Sequence, residues 1–378
     1  MVKKIKNRVL TSGLLLLLLI CWYIGTSSQP VTKPENAQDQ IEKVIAEETE
    51  KLMREPGYKA VSGVLYIKGK AYEFHYGRLS NGKKPDSHTI YEIGSLTKTY
   101  TGLLLSQAVH DGKINLDEDV RNYLDGPYPN FILSDGRPIT FRHLITHTAG
   151  LPLFLNCYDG KPTIEQQIAC FEHLTPDDFF ARLKQTKLID NSGKNYHYSS
   201  VGTQLIGYIL ERVYGLSFKD LFQKYIFSRS GEKQTFSELK YDKNSNISIG
   251  RDSSGVKMPL INGFYKYSGG MKASTASMFN YIKMYLESND PVVKQTMTRL
   301  AGNVQYGRAY AWNTYNYDKK MKMLYHNGGS FGHSSWIALY PDIKVGIFIV
   351  TNVVTADSQS KLNELSNNII DKIENSIN

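Results

Sequence analysis

The sequence predicts an α+β fold: an antiparallel sheet built from both chain ends, flanked by helices, with a mostly helical subdomain inserted between the two sets of strands. Three observations predict it. β-rich runs lie near both ends, at residues 61–67 and 71–76 and again at 320–325, 335–340 and 345–351. Apolar residues at helical spacing dominate the stretch between them. The links joining neighbouring runs, Lys68-Gly69-Lys70 and Pro341-Asp342-Ile343-Lys344, are too short for anything but antiparallel pairing.

The elements follow in order. Residues 29–40 are polar and contain Pro30 and Pro34, and read as a linker ahead of a folded domain spanning 41–376. Ile41, Val44, Ile45, Leu52 and Met53 mark a first helix. A helix starting at Ser95 carries Leu96, Tyr100, Leu103, Leu104 and Val109, and Gly112 stops it. Thr175-Pro176-Asp177-Asp178 is a helix start: a capping threonine, proline at the first position and acids in the first turn. Val201, Leu205, Ile206, Ile209 and Val213 form another stripe, closed by Gly215. The helical insertion covers roughly residues 99–290 on this spacing. A last helix carries Leu362, Leu365, Ile369, Ile370 and Ile373.

The chain has 378 residues, 41% apolar and 21% charged, an ordinary globular composition. Residues 1–28 differ. Lys3, Lys4, Lys6 and Arg8 precede an apolar run over residues 14–24 that includes six consecutive leucines. A basic start followed by a short apolar run is an export signal, or an anchor if it stays uncleaved. Its polarity puts the rest of the chain outside, in a periplasm or on the outer face of the cytoplasmic membrane. Cys21 follows Ile20 rather than a small residue, which disfavours lipidation. Removing the four basic residues lowers the formal charge from +9 to +5. No basic run interleaves with aromatics, so nucleic acid is not an expected partner.

Beyond the leader only Cys157 and Cys170 remain. An oxidising compartment would let them pair, but sequence does not fix their separation. There is no C-x-x-C or H-E-x-x-H, and the pair His143 and His147 lacks an evident third ligand. Neither metal nor cofactor is expected.

Three patches carry chemistry. Ser95-Leu96-Thr97-Lys98 places a hydroxyl and an amine on one face of a helix start. Burial would lower the lysine pKa until it accepts the serine proton. Taken alone, S-x-x-K reads as a capping serine and a solvated lysine. Tyr198-Ser199-Ser200 precedes the helix of Val201 and supplies a phenol able to relay a proton. His326-Asn327-Gly328-Gly329 leaves a strand, where the Gly329 N–H can join that of Ser95 as an oxyanion hole. Gly328-Gly329-Ser330-Phe331-Gly332 also fits the G-x-S-x-G elbow, but a strand follows it and no His lies beyond His333.

The order S-x-x-K, Tyr-Ser-x and His-x-Gly resembles the serine β-lactamase and penicillin-binding protein superfamily, in its class C branch. Tyr91-Glu92-Ile93-Gly94-Ser95-Leu96-Thr97-Lys98 resembles its nucleophile segment. Leu144-Ile145-Thr146-His147-Thr148-Ala149-Gly150-Leu151-Pro152 is similar to its "LLTHTSGLP" loop, and Ser268-Gly269-Gly270-Met271 to its "GGL" turn. The resemblance runs from about residue 60 to about residue 352 and implies a β-lactamase/transpeptidase-like fold. It implies Ser95 as nucleophile, Lys98 and Tyr198 as proton shuttles, and Ser200, His326, Asn327, Gly328 and Gly329 around substrate and oxyanion. Ser200 stands where the family usually has Asn, and His-Asn-Gly where it often has Lys-Thr-Gly. Those departures point toward peptidases and esterases rather than efficient β-lactamases.

The expected function is therefore an exported D-alanyl-D-alanine carboxypeptidase or endopeptidase, with peptidoglycan peptides or β-lactams as ligands. Alternatives are a β-lactamase, an esterase or D-amino-acid amidase using the same site, and a non-catalytic muropeptide-binding protein.

Overall fold

The computed structural model describes residues 36–155, 157–158, 160–241, 245–317 and 321–377. The expected leader, residues 1–28 with Cys21, lies outside them. The chain opens with helix α1 (Ala37–Arg54), capped by Asn36, whose side chain accepts from Asp39 N at 2.9 Å. That cap starts the helix inside the expected linker, so residues 37–40 are helical.

Strands β1 (Ala60–Ile67) and β2 (Lys70–Gly77) form a hairpin. Both turn residues have positive φ, Lys68 at 45° and Gly69 at 94°. That pattern matches the twist of the flanking strands. The middle of the chain holds β3 (Tyr91–Glu92), α2 (Thr97–His110), α3 (Phe141–Ile145), α4 (Ile164–His173), α5 (Pro176–Gln185), α6 (Ser200–Tyr214), β4 (Thr235–Phe236), β5 (Lys272–Ala273) and α7 (Thr275–Glu287). Helix α5 starts as its sequence requires: Thr175 accepts from Asp178 N, and the Asp178 side chain accepts from Thr175 N. Gly215, at φ 62°, ends α6. Six further strands follow: β6 (Ala301–Gly302), β7 (Tyr306–Arg308), β8 (Asn313–Asn316), β9 (Lys322–Gly329), β10 (Ser334–Tyr340) and β11 (Val345–Thr351). Helix α8 (Ser358–Ile377) closes the chain.

Both chain ends contribute to one eight-stranded sheet, ordered β2-β1-β11-β10-β9-β8-β7-β6 and antiparallel throughout. The seam between the ends is β1 on β11, with Val64 opposite Phe348. Strand periodicity divides the buried residues between two cores. Val61, Leu65, Ala338, Ile347 and Ile349 face α1 and α8, meeting Ile41, Ile45, Leu362 and Ile369. Val64, Tyr66, Ile337, Leu339 and Phe348 face the helical part of the chain. With both faces covered, β1, β10 and β11 are buried along their whole length, which is why they read as near-continuous apolar runs.

Two features differ from the sequence reading. Strand β9 does not end before His326; it continues through Gly329, still paired with β10, Gly329 opposite Ser334. Glycines at 328 and 329 do not break it, because neighbouring groups close in where a side chain would stand: Ile93 O and the Ser335 hydroxyl beside Gly328, and the Gln359 amide beside Gly329. A Cβ on Gly328 would lie 2.2 Å from Ile93 O. A second, three-stranded sheet, β3-β5-β4, was not foreseen. Its strands have two residues each, too short to show a period.

Candidate active site

Ser95 arrives on a sharp entry to α2. Strand β3 ends at Glu92, Gly94 takes φ 53°, and one tight turn over Gly94–Leu96 leads into the helix. Among residues 91–108 Ser95 alone is not buried. The turn is fastened to residues 267–271. Thr97 Oγ1 donates to Gly94 O at 2.6 Å and accepts from Met271 N at 3.1 Å, and Thr101 Oγ1 donates to Tyr267 O at 2.6 Å.

Lys98 follows one turn later and is fully buried. Its Nζ lies 3.1 Å from Ser95 Oγ and donates to Ser268 O at 2.6 Å. Burial without a carboxylate partner pulls its pKa down to about 7. A lysine with that pKa spends a large fraction of its time as a neutral amine at physiological pH. The carbonyl of Ser268, in the Ser268-Gly269-Gly270-Met271 turn, was not singled out from sequence.

Tyr198 is half-buried, with its phenol close enough to Ser95 for the serine to act on its proton. Burial raises its pKa above the usual 10, more than the Ser95 contact lowers it, so the phenol keeps its proton. Lys98 Nζ sits 5.0 Å from the centre of its ring. The residues before α6 are clamped by the Leu144–Pro152 loop. The His147 carbonyl accepts from His197 N at 2.8 Å, its Nδ1 accepts from Ser199 N at 3.3 Å, and its ring centre is 4.6 Å from that of Tyr198. Ser199 Oγ donates to Pro152 O at 2.7 Å. His147 holds the left-handed φ of 60°, so the loop turns sharply beneath Tyr198. Burial, then the Lys98 charge, keep its imidazole neutral.

His326 is buried on β9, its ring centre 6.2 Å from that of Tyr198. Nδ1 lies 2.6 Å from Asn327 O, which assigns the proton to Nδ1 and leaves Nε2 as an acceptor. Burial, followed by the Lys98 charge, drops its pKa to about 3. The residue is a neutral imidazole at any ordinary pH.

Gly329 and Gly94 bring their backbones together, and a Cβ on Gly94 would lie 2.6 Å from Gly329 N. Gly328 packs against Ile93 in the same way. Ser200, the first residue of α6, donates its N–H to Leu153 O at 2.9 Å and lines the cleft beside Ser95. Asn327 is not brought to that cleft. Alternation along β9 turns it to the face opposite His326, where its amide donates to Gln359 on α8.

The cleft holds about 480 Å³ and reaches from Ser95, Ser200, Ser268 and Gly329 to an apolar wall that includes Phe154 and Phe171. Lys98, Tyr198 and His326 are not among its lining residues. Cys157 and Cys170, left open by the sequence, are joined, Cα to Cα 5.8 Å.

Two other groupings look catalytic and are not placed for it. Ser330 sits in the β9–β10 turn, where its Oγ accepts from Gly332 N and His333 N, with no base beside it. Ser248, His333 and Glu92 line up as hydroxyl, imidazole and carboxylate, each link 3.2 Å long. That is the order of a hydrolase triad, but all three are buried. The trio instead joins β3 to the β9–β10 turn. Glu92 Oε1 also accepts from Ile261 N at 2.5 Å. His143 and His147 serve different loops: His143 Nδ1 accepts from Thr140 N at 3.1 Å.

The sequence model of the Beta-lactamase family matches residues 45–367. The chain belongs to the Beta-lactamase family. That is a family of serine hydrolases, and the eight-stranded sheet and covering helices are the β-lactamase/transpeptidase-like fold. Protein flp of Staphylococcus aureus strain N315 is 26% identical over 345 residues, covering 84% of this chain and 64% of that protein. A beta-lactamase of Providencia stuartii is 26% identical over 256 residues, covering 66% of this chain and 60% of the other. The chain therefore spans less than two thirds of these curated relatives. Among solved structures, a beta-lactamase/D-alanine carboxypeptidase from Yersinia pestis complexed with citrate superposes with TM-score 0.76 at 18% identity, over 88% of this chain and 98% of its own. A class C beta lactamase from Rhodobacter sphaeroides gives 0.73 at 19% identity, over 88% and 99%.

Proposed function

We propose that this family member is an exported serine peptidase that forms an acyl-enzyme on Ser95 and acts on D-alanyl-D-alanine-type peptides of peptidoglycan. The observation carrying the reading is the buried amine of Lys98, 3.1 Å from Ser95 Oγ and with its pKa near 7. The neutral amine takes the Ser95 proton as Oγ bonds to the carbonyl carbon. Main-chain N–H groups of Ser95 and Gly329 receive the oxygen that becomes negative. The Tyr198 phenol passes its proton to the departing amine nitrogen and is reprotonated from the Lys98 ammonium. The C–N bond breaks and an ester on Ser95 remains. A water then attacks that ester, returning the serine hydroxyl and releasing the acid. The Yersinia pestis neighbour bears both activities in its name, which fits this reading.

A second reading, an esterase or amidase with the same serine, draws support from His326. A neutral imidazole grips a terminal carboxylate less than a lysine would. A β-lactamase is the third use of the same groups. A silent muropeptide-binding role fits poorly with a lysine held against a half-exposed serine. Attachment to the outer face of the cytoplasmic membrane through residues 1–28 belongs to the same proposal.

The test is a substrate panel with purified protein: a diacyl-L-Lys-D-Ala-D-Ala peptide, an aryl ester and a chromogenic cephalosporin. The expected result is D-alanine release, with penicillin hydrolysed slowly after acylation. Fast cephalosporin turnover without D-alanine release would make it a β-lactamase, and ester cleavage alone an esterase.

A further inference from the structure

We propose that helix α4, held by the Cys157–Cys170 disulfide, is the wall that selects the acyl part of the substrate, and that this wall takes an aryl or branched-alkyl group. The inference rests on Ser95 being the acylated residue.

Helix α4 has no buried residue of its own, so it does not sit where it does by filling the core. Two things fix it. The disulfide ties Cys170 back to Cys157. Phe171, the next residue, stacks on Tyr265 with ring centres 4.5 Å apart. Tyr265 is itself buried, and its hydroxyl accepts from Leu155 N at 3.2 Å. Phe171 also meets the edges of Phe154 at 4.9 Å and Phe331 at 5.4 Å. Phe331 lies two residues beyond Gly329, so this aromatic group begins at the place where the scissile carbonyl sits. Ile164, two turns before Phe171 on the same face of α4, is 40% exposed and lines the same cleft.

Among the described residues, Asp252 is the one charged residue lining the cleft. Its carboxylate accepts from the N–H groups of Ser254 and Val256 at 3.0 and 2.8 Å. Among the described residues, no cation lines the cleft to receive a carboxylate. The leaving group belongs on the other side of Ser95, because the proton it needs comes from Tyr198, which does not line this cleft. The cleft therefore receives the acyl group, and its walls reward apolar area.

The experiment measures kcat/KM on p-nitrophenyl acetate, isovalerate and phenylacetate, each divided by its rate of alkaline hydrolysis. The leaving group is constant across the series. The wild-type chain is expected to favour phenylacetyl and isovaleryl over acetyl by tenfold or more. Phe171→Ala, and separately Cys157→Ser with Cys170→Ser, are expected to bring that ratio toward one. Phe171→Leu should restore most of it. A flat series in wild type, with turnover still abolished by Ser95→Ala, would overturn the wall's role and leave the acyl-enzyme standing. Turnover that survives Ser95→Ala would overturn both.

Discussion

Gly94 and Gly329 meet backbone to backbone, with room for no Cβ between them: one on Gly94 would fall 2.6 Å from both the nitrogen and the oxygen of Gly329. The two main-chain amides proposed to share the oxyanion are held at their spacing by this contact. Gly94→Ala adds a methyl group there and also strains φ 53°. A shift of about 1 Å between catalytic groups costs roughly 100-fold in rate. Gly94→Ala is expected to lose that much in kcat/KM while its near-ultraviolet circular dichroism stays folded. An active variant would mean that the amide of residue 329 is not used.

In the proposed mechanism Lys98 sets the pH dependence. Its folded pKa of about 7 lies below the usual 10.5, so the ammonium dominates below pH 7 and the amine above it. The proposed base is the amine. Acylation, read as kcat/KM, should climb with pH through about 7 and then level off. Lys98→Met should remove the climb and cut the rate by about 10²–10⁴-fold. A rate independent of pH from 6 to 9 in wild type would contradict the assignment.

In the proposed mechanism His147 acts through Tyr198, as a positioning residue. It holds Ser199 N at 3.3 Å and the Tyr198 ring at 4.6 Å. His147→Ala should lower kcat by about 100-fold while KM moves less than threefold, since the proton relay, not the cleft, is disturbed. Equal losses in kcat and stability, with no change in the pH profile, would reduce it to packing.

Glu92 is a stability residue. It is buried, and although burial pushes its pKa up, the hydrogen bond and charge of His333 and the charge of Lys272 bring it below its ordinary 4.5. A depressed carboxylate contributes stability above pH 4.5 that is lost as pH falls below it. Glu92→Ala also removes one of the two carboxylates, with Glu238, that offset the buried Lys272 charge, and should cost about 3–5 kcal/mol in urea unfolding at pH 7. A loss under about 1 kcal/mol would show that the buried trio does not brace the β3 segment.

How much of this was legible depends on sequence distance. Ser95 with Lys98 is one helical turn, and the β1–β2 hairpin is two runs and a short link, so both follow from local pattern. The seam of β1 on β11 came from the placement of β-rich runs at both ends. The Glu92–His333 contact joins residues 241 apart and has no local signature. His147 was visible in its loop but not its service to Ser199, since only the fold brings the two segments together. Strand β9 ran past its expected end because two glycines, read as a turn, are where β3's exit packs closest. Asn327 was read as a cleft residue because its motif was read as a unit; strand alternation separates it from His326.

The central claim is that Ser95, and no other serine, becomes acylated. The direct measurement is intact mass of the protein after exposure to benzylpenicillin, followed by peptide mapping of the adduct. We predict one added penicilloyl mass on the peptide containing Ser95, and none on Ser95→Ala. An adduct on Ser330, or labelling undiminished in Ser95→Ala, would contradict it.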